Sequence, residues 1–409
     1  MRFYYELHSE KYRIYDDETD EFETVDRLQF DKNIYYCFKG YDDDDKVRLF
    51  VKEFKQWCQE LKTVTKGKID YLKFNTHRGA NYLIPQNYCP RLSEFEPIDL
   101  IESSWIEKCN TAGIQKLYQK GKHQCYGYDF KAFYLTLLGK KEIGLDIPMR
   151  AGKEYVLSEI NQNKLQVGMY HVNIQCDNPK FVFAYSSNNV YTHTSLYYAM
   201  KMQATYDIKI ELVQNGEPNA YLYDKNDVHN SSYYFKPLYD ALMNAKTVYP
   251  KNKLIKHICS SIWGHLCSFQ IINRSIEDII KENLNCTPDK NNKTADYFIK
   301  SIETDYYSLV GVKKPYKHNV ARMKPFLLAK GQVVTSNVCM LYVDDLVRVH
   351  TDGIVFSKEH NDIMTHYKCY PTLLPEEKST GLIDWQTQNT YFNFTTNEAH
   401  GKYKAKNNT

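Results

Sequence analysis

The alternation of apolar and polar residues predicts strands in several parts of the chain. Near the start, Y-R-I-Y and N-I-Y-Y-C-F have the two-residue period of half-buried strands, and V-R-L-F-V-K-E-F-K-Q-W-C then has the period of an amphipathic helix. Further along, Q-C-Y-G-Y-D-F alternates and predicts a strand that ends near Asp129. These patterns indicate a mixed protein with a strand-rich α/β unit at its front.

Residues 347–356, V-R-V-H-T-D-G-I-V-F, predict a tight β-hairpin with Asp352 at its tip. Asp-Gly between two β-branched runs is among the strongest local signals for a hairpin, and we expect Gly353 to take the positive φ that the turn needs. By itself this pattern makes Asp352 a turn residue. Partners elsewhere in the chain are needed to give it a further role.

Two other segments predict helices. Residues 112–122, A-G-I-Q-K-L-Y-Q-K-G-K, are expected to form a basic helix and turn. In residues 254–264, leucine and isoleucine recur with a period of 3.6 and predict a buried stripe. Lys256, Ser260 and Trp263 lie on the opposite side of this helix, which therefore turns a cation, a hydroxyl and a flat ring away from its core.

Composition places the chain among folded proteins. Its 409 residues are enough for two or three domains, and 43% of them are hydrophobic. No run approaches the 18 apolar residues of a membrane span, and the start M-R-F-Y-Y-E-L-H lacks the apolar core of a signal peptide. The eleven cysteines show no paired CxxC spacing. We therefore expect reduced thiols, an intracellular protein and no membrane partner.

The charge is small but unevenly distributed. The formal net charge is +3, while residues 1–50 carry 14 acidic and 8 basic side chains, so the rest of the chain carries a net +9. This gradient fits a polyanion-binding body behind an acidic front domain. A solvated surface explains it equally well.

Each candidate residue has an ordinary explanation when it is considered alone. Asp129 fits a strand end or a helix N-cap. Lys256 fits a solvated surface lysine, and Trp263 fits a half-buried core aromatic. The hydroxyl of Ser260 can bond back to its own helix. The order and spacing of the segments are what indicate a shared function.

In that order the segments resemble the three polymerase motifs of family B DNA polymerases, especially the viral, plasmid and protein-primed branch. The family's first motif is D-x-x-S-L-Y-P, and D-F-K-A-F-Y-L places Asp129 and Tyr134 in register. The second is K-x-x-x-N-S-x-Y-G, and K-H-I-C-S-S-I-W-G runs from Lys256 to Gly264. The third is Y-x-D-T-D-S, and R-V-H-T-D-G places Asp352 in register.

The resemblance covers roughly residues 112–385 and includes A-R-M-K-P-F-L-L-A-K-G-Q, which is similar to the helix before the third motif. It implies an α+β fold, in which an antiparallel palm sheet with helices carries inserted fingers helices and a minimal thumb, behind an N-terminal α/β domain like a degenerate exonuclease. A Pro-containing stretch, residues 83–99, is the candidate first boundary. The expected parts are the front domain 1–110, palm 111–230 with an insertion, fingers 231–280, palm 281–385 with a polar insertion, and a residual thumb or tail 386–409.

The resemblance also implies a chemistry, which the residue types support. Two carboxylates are a sufficient protein contribution to a two-Mg²⁺ site, and Asp129 and Asp352 would supply them. Lys256 would contact the nucleotide phosphates, and Tyr134 would pack under the sugar. The implied nucleotide-binding set is completed by Ser260, Trp263 and Gly264. Implied partners are a DNA primer–template and dNTPs, with a terminal or accessory replication protein, in a virus- or mobile-element-encoded replication system.

The sequence departs from the family pattern at several positions. His350 stands where the third motif has its first aspartate, and a nitrogen ligand suits Mn²⁺ better than Mg²⁺. Ser260 replaces asparagine and Trp263 replaces tyrosine in the second motif, while Ala132 and Leu135 replace serine and proline in the first. The exchanges in the first two motifs look tolerable, whereas His350 affects the metal site itself.

The front domain has an incomplete exonuclease pattern. Asp16 and Glu18 match the family's D-x-E, but Asn81 stands near the position of the second carboxylate and F-E-P-I-D matches the third motif poorly. An acidic turn explains Asp16 and Glu18 as well. We expect no proofreading activity.

The sequence therefore predicts a compact DNA-directed DNA polymerase that performs nucleotidyl transfer during DNA replication. The alternative is a catalytically impaired, polymerase-like protein that binds nucleic acid in an accessory or structural role. A third possibility is an unrelated α/β protein with chance matches to the motifs.

Overall fold

Helices and mostly antiparallel sheets make up the fold. The computed structural model describes residues 2–6, 12–25, 34–36, 43–74, 76–109, 112–161, 165–289, 292, 294–303, 306–363 and 375–402. Its α-helices are α1 (Asp44–Val64), α2 (His77–Tyr88), α3 (Leu100–Lys108), α4 (Phe133–Gly139), α5 (His193–Tyr206), α6 (Ser232–Val248), α7 (Lys253–Leu266), α8 (Ile276–Lys281) and α9 (Lys324–Leu341).

The strands are short except near the centre of the largest sheet. They are β1 (Arg2–Glu6), β2 (Tyr12–Asp16), β3 (Glu21–Val25), β4 (Ile34–Tyr36), β5 (Gln115–Leu117), β6 (Gly121–Phe130), β7 (Asp146–Pro148), β8 (Lys153–Tyr155), β9 (Gly168–Gln175), β10 (Val190–Thr192), β11 (Lys209–Leu212), β12 (Ala220–Leu222), β13 (Val228–Asn230), β14 (Ile271–Arg274), β15 (Cys286–Thr287), β16 (Tyr297–Ile302), β17 (Tyr307–Gly311), β18 (Leu346–His350), β19 (Gly353–Phe356), β20 (Pro375–Thr387), β21 (Thr390–Asn393) and β22 (Glu398–His400).

The chain divides into two compact units. One contains Met1–Ser93 and Tyr234–Leu266, and the other contains Glu94–Tyr233 and Cys267–Thr409. The division after Ser93 falls within the Pro-containing stretch that the sequence suggests as a boundary. The finer division into front domain, palm, fingers and thumb stays a prediction.

The first unit combines a four-stranded sheet, in the order β3-β2-β1-β4, with the amphipathic helix α1. Asp43 caps α1 by accepting hydrogen bonds from the amides of Asp45 and Lys46. The ring of Phe54 in α1 meets Phe3 of β1 edge to face, with ring centres 6.4 Å apart. The buried stripe of α1 follows the 3.6-residue period and consists of Val47, Val51, Phe54, Cys58 and Leu61.

The helix α7, also in the first unit, has the orientation that its periodicity predicts. Leu254, Ile258 and Ile262 are buried, while Lys256 and Ser260 are exposed. Asn252 begins the helix, since its side-chain oxygen accepts the amide of Ile255 at 3.0 Å and its amide group donates to Glu60 of α1 at 2.8 Å. On α2, the buried amide of Asn81 donates to the hydroxyl of Ser261 at 2.9 Å. These bonds fix α7 against α1 and α2.

The second unit is built on a seven-stranded sheet in the order β22-β21-β20-β6-β19-β18-β5. All its neighbouring pairs are antiparallel. Tyr128 and Phe130 of β6 are buried with Ile354 of β19, and Phe130 stacks on Phe133 of α4 with ring centres 4.9 Å apart. The helix α9 also packs here, since Gly331 lies against Phe133. One face of the sheet is therefore covered by α4 and α9.

The helix predicted for residues 112–122 is wrong. Gln115–Leu117 is the edge strand β5, which pairs with β18 so that Lys116 lies opposite Val349. Leu117 packs against a small cluster of Cys125, Val347 and Trp385. This long-range pairing outweighs the local helical pattern.

A buried ion pair braces the second unit. Arg322 and Glu102 have fully buried side chains and are 2.7 Å apart at their nearest atoms. The remaining guanidinium donors of Arg322 bond to the carbonyl groups of Glu96, Pro97 and Met149, and Glu102 also accepts the hydroxyl of Tyr223 at 3.0 Å. Because the donors find partners, the cost of burying these charges is offset.

The second unit also contains smaller sheets. The strands β10-β9-β12-β8 form a sheet, with β11 also paired to β9, and β14-β17-β16-β15 form another. The nine described cysteines are all free thiols. Among the helices that the structure describes, none combines the length and apolar composition needed to cross a membrane.

Candidate active site

Neighbouring strands of the seven-stranded sheet bring Asp129 and Asp352 together. β6 pairs with β19 so that Asp129 lies opposite Gly353. Asp352 directly precedes Gly353, in the turn between β18 and β19. The charge of Asp129 accordingly acts on the ionisation of Asp352. The two carboxylates form one polar site, whose role in holding metal stays a prediction.

The turn between β18 and β19 differs from the sequence prediction. The positive φ, +63°, belongs to Thr351, whereas Gly353 begins β19 without a positive φ. The reason is that Thr351 makes hydrogen bonds to residues that are distant in the sequence. The amide of Thr351 donates to the carbonyl of Ile114 at 2.7 Å, and the carbonyl of Thr351 accepts the hydroxyl of Thr335 at 3.1 Å. These two bonds hold the residue beside Asp352 in the left-handed region.

A close backbone approach also fixes this turn. A Cβ atom on Gly113 would lie 2.7 to 2.9 Å from Cγ2, Oγ1 and Cβ of Thr351. The helix α9 supports the same segment, because Gln332 donates to the carbonyl of Ala112 at 2.9 Å. At Gly353, a Cβ would come no nearer than 3.5 Å, to the carbonyl oxygen of His350. Gly113 rather than Gly353 is thus the glycine that the turn requires.

The electrostatics of the site are those of two adjacent carboxylates. Burial, together with the charge of Asp129, raises the pKa of Asp352 from its usual value near 3.8 to about 6, and a hydrogen bond from its own backbone amide opposes the shift. A cation bound between the two carboxylates would favour their ionised forms and so lower the pKa of Asp352. The donor set therefore fits a hard divalent ion such as Mg²⁺.

Tyr134 lies near Asp352. It is the second residue of α4, which follows Ala132 in a left-handed conformation with φ of +50°. Burial and then the charge of Asp352 raise the pKa of Tyr134. A Cβ on Gly331 of α9 would lie 3.4 Å from Cε1 of this ring. The phenol is therefore neutral, packed beside α9 and close to the carboxylate pair.

A row of directly opposite residues crosses the sheet at the level of Asp129. It runs from Gln115 through His350, Gly353 and Asp129 to Glu376. Because opposite side chains share one face of an antiparallel sheet, the imidazole of His350 and the carboxylates of Asp129 and Glu376 point to the same side. Glu376 is exposed and its carboxylate pairs with Lys378 at 3.0 Å. Sequence reasoning did not place it opposite Asp129, since this depends on the register between β20 and β6, which no local motif encodes.

His350 is a neutral imidazole near pH 7. Burial, and then the charge of Arg348, lower its pKa. Arg348 is held by donating to the carbonyl of Gln388 at 2.8 Å and lies 4.9 Å from the ring centre of Trp385. His350 shares its row with Asp129, while its participation in metal binding stays a prediction.

The second motif lies in the first unit, on α7. Lys256 is exposed, and the hydroxyl of Ser260 donates to the carbonyls of Lys256 and His257 at 3.2 and 3.0 Å, so it bonds back to its own helix. Trp263 is half-buried, and Gly264 is exposed with open space where a Cβ would be. The predicted approach of these residues to the carboxylates of the second unit stays a prediction.

Asp16 lies at the end of β2, and Glu18 lies in the turn that follows it. The carboxylate of Asp16, at the end of β2, accepts the amide of Glu18 at 3.0 Å. Asn81 is buried on α2. Within the described residues, no group of three or more His, Cys, Asp or Glu side chains has a metal-binding arrangement. The role of the carboxylate pair of the second unit as a metal site stays a prediction.

Comparison with solved structures identifies a known fold. The chain matches phi29 DNA polymerase complexed with primer-template DNA and incoming nucleotide substrates, with a TM-score of 0.55 and 13% identity over 85% of this chain and 58% of that chain. It matches the same polymerase complexed with single-stranded DNA with a TM-score of 0.53 and 12% identity, over 86% and 58%.

No protein-family model and no curated protein matches the chain. The chain spans a little over half the length of phi29 DNA polymerase. At 12 to 13% identity, the likeness supports a distant structural relation and not a shared activity. We conclude that the chain has an α+β fold like that of a DNA polymerase.

Proposed function

We propose that the protein is a DNA-directed DNA polymerase, which transfers nucleotides to the 3′-hydroxyl of a primer. The observation that carries this proposal is that Asp129, on β6, lies beside Asp352, in the turn directly before β19, and that the pKa of Asp352 is raised. A carboxylate pair of this kind is what a phosphoryl-transfer site contributes to hold divalent cations. The polymerase-like fold supports the same conclusion by analogy.

In this proposal Asp129 and Asp352 hold two divalent cations, Mg²⁺ in the ordinary case. When bound, the two ions would activate the attacking 3′-oxygen and neutralise the charge of the departing pyrophosphate. Asp129 lies within a strand and Asp352 in a braced turn, so both carboxylates are preorganised. The chain supplies the positions of the charges and little covalent chemistry.

The other proposed contacts select and orient the nucleotide. Tyr134, packed beside α9, would lie under the sugar and exclude a 2′-hydroxyl. Lys256 would provide a point charge for the β- and γ-phosphates. Trp263 and Gly264 would form the floor under the new base pair, where a flat ring and an open backbone favour stacking. Ser260 would line this floor with its backbone, since its hydroxyl is used within the helix.

The proposed partners follow from this site. A DNA primer–template and dNTPs are the substrates, and a terminal or accessory replication protein is a further partner. His350 replaces a carboxylate by a neutral nitrogen, which would make Mn²⁺ an effective substitute for Mg²⁺.

Primer extension on a defined template tests the proposal. We expect extension with Mg²⁺ and with Mn²⁺, and a loss of at least about a thousandfold in Asp352→Asn, because the amide cannot supply the charge that the metal needs. His350→Asp should keep or raise extension with Mg²⁺. The control is Asp146→Asn, which removes one exposed carboxylate of β7. Extension by Asp352→Asn at the parental rate would make Asp352 a turn residue and refute the proposal.

The second candidate function is nucleic-acid binding without catalysis. His350, in place of a carboxylate, is the observation that favours it. In this case the parental protein would extend no primer with either metal. It would bind primer–template with the same affinity as the Asp129→Asn variant. Restoration of extension by His350→Asp would then identify the histidine as the cause.

A further inference from the structure

A groove in the first unit, separate from the carboxylate pair, has the composition of a base-binding site. It lies between α1 and α7, has a volume of about 510 Å³, and is lined among others by Phe50, Phe54, Trp57, His77 and Lys253. We call it the aromatic groove. Its volume is in the range of pockets that hold small planar ligands. The polymerase motifs do not include these residues.

The rings of the aromatic groove form a connected set. Phe50 stacks with Phe54 at a centroid distance of 5.8 Å and meets Trp57 edge to face at 6.5 Å. Phe54 in turn meets the imidazole of His77 at 5.6 Å. Phe54 is almost completely buried, whereas Phe50 and Trp57 are only half-buried. The partly exposed rings of Phe50 and Trp57 thus lie beside the buried ring of Phe54.

The histidine in this set adds a flat, uncharged ring. His77 accepts or donates a hydrogen bond with the hydroxyl of Tyr71 at 2.7 Å. Burial, and then the neighbouring His257 and His265, lower the pKa of His77 to about 3. His77 is consequently neutral at pH 7 and can stack like the other rings.

The charge at the edge of the groove is positive on the α7 side. The ammonium group of Lys253 lies 5.4 Å from the ring centre of Trp57. The helix α7 contains no acidic residue between Lys253 and Leu266. On the α1 side, Lys46 and Glu53 both line the groove.

The acidic residues at the start of α1 are largely neutralised. Asp44 is 2.6 Å from Arg13, and Asp45 is 3.0 Å from Arg48. Asp43 caps the helix. Among the charged residues that line the groove, the two cations Lys46 and Lys253 exceed the single anion Glu53, and Lys46 also pairs with Asp43 at 3.9 Å. This small positive excess disfavours an acidic peptide as occupant.

From this combination we propose that the aromatic groove binds an unpaired base of a single-stranded nucleic acid, with Lys253 contacting the adjacent phosphate. Accessible rings that accept a base, next to cations that follow the backbone, are the general composition of single-strand sites. A strand suits the groove better than a free nucleotide, because Lys46 and Lys253 stand on different helices and would contact successive phosphates. The groove would hold the strand independently of Asp129 and Asp352.

Fluorescence anisotropy of a labelled ten-nucleotide oligo(dT) on the full chain tests this proposal. Trp57→Leu should weaken binding about tenfold, because one base-stacking surface is removed. The carbonyl of Trp57 that accepts a hydrogen bond from Asn252 belongs to the backbone and is kept in this variant. Lys253→Gln should weaken binding a few-fold, while Lys52→Gln, an exposed charge change elsewhere on α1, should not. Asp146→Asn, which changes an exposed carboxylate of the second unit, should bind as the parent does.

An abasic oligonucleotide of the same length distinguishes stacking from charge. It should bind the parent about tenfold more weakly than oligo(dT) and should bind Trp57→Leu and the parent alike. Photocrosslinking with 5-iododeoxyuridine in the oligonucleotide should label a peptide from α1. Thermal unfolding of each variant controls for folding.

Three results would overturn the proposal: equal binding of oligo(dT) by the parent and a folded Trp57→Leu, equal binding of the abasic strand, or a crosslink outside the first unit. Competition by free dTTP at concentrations comparable to the oligonucleotide would assign the groove to a free nucleotide instead. None of these results depends on primer extension, so loss of the groove proposal and loss of the polymerase proposal are distinguishable.

Discussion

At the scale of single residues, the carboxylate pair determines what the site can do. Asp352 lies in a turn that is held by its neighbour Thr351, whose amide donates a hydrogen bond to the carbonyl of Ile114. Its carboxyl group faces the charge of Asp129 in a partly buried position. Such an arrangement costs stability without a cation, which is typical of a functional site.

This cost predicts a pH dependence. Because the pKa of Asp352 is higher in the folded state, near 6, than its usual 3.8, ionised Asp352 destabilises the fold above about pH 6, and the effect disappears below about pH 4. In a chelator, Asp352→Asn should therefore be more stable than the parent by about 1 to 3 kcal/mol at pH 8 and equal to it near pH 4. Urea unfolding at both pH values measures this.

Metal binding supplies the matched control. Added Mg²⁺ should raise the unfolding temperature of the parent and leave that of Asp352→Asn unchanged, since a ligand stabilises only the state that binds it. Asp146→Asn should behave as the parent in both conditions. A stability difference between Asp352→Asn and the parent that is the same at pH 4 and pH 8, with no response of the parent to Mg²⁺, would contradict the coupling of the two carboxylates.

A second prediction concerns the glycines of the turn. In Gly113→Ala, the free energy of unfolding should fall by about 1 to 3 kcal/mol. The new methyl group would lie within 3 Å of the Cβ and of both branches of Thr351, and no rotamer relieves this clash. Gly353→Ala should change stability by less than about 1 kcal/mol, because its nearest neighbour is 3.5 Å away and its φ is not positive. Chemical denaturation of both variants checks the difference. The reverse order would mean that Gly353 is the residue the turn requires.

At the scale of elements, sequence periodicity predicts helices well and long-range pairing poorly. The helices α1 and α7 have the buried stripes that their sequences predict, because the 3.6-residue period is local. The strand β5 was predicted as helix, since only its pairing with β18 makes it a strand. Glu376 was missed for the same reason, and the left-handed φ of Thr351 depends on bonds to distant residues.

The helix α9 connects the hairpin to the rest of the fold. Thr335, fully buried, donates to the carbonyl of Thr351, and Gly331 lies beside Tyr134. Thr335→Val keeps the shape of the side chain and removes the donor, so we expect a loss of about 1 to 2 kcal/mol and a lower kcat for extension. Thr335→Ser keeps the donor and removes a methyl group, so stability should fall while kcat is retained. Equal kcat in both variants would show that Thr335 has no positioning role.

At the scale of the whole molecule, the polymerase-like fold has two units whose roles are separable by experiment. The second unit contains the carboxylate pair, and the first contains α7 and the aromatic groove. The likeness to phi29 DNA polymerase supports a polymerase-like α+β fold over an unrelated α/β fold. Net charge alone, +3 in 409 residues, does not identify a nucleic-acid partner.

Salt dependence is the measurement that addresses a nucleic-acid partner directly. A polymerase holds primer–template through several phosphate contacts, and each contact releases condensed counterions from the DNA. With about five such contacts, the logarithm of the binding constant should fall with the logarithm of salt concentration with a slope of about −4.5. In a chelator, the Asp129→Asn, Asp352→Asn double variant should bind at least as tightly and with the same slope, because removing two negative charges does not remove a phosphate contact. Lys256→Gln tests whether α7 contacts the DNA itself. Without dNTP, this variant should reduce the slope by about one if Lys256 contacts a DNA phosphate. A flat salt dependence in the parent would leave no electrostatic contact with DNA, and the polymerase proposal would then fail regardless of the geometry of the carboxylates.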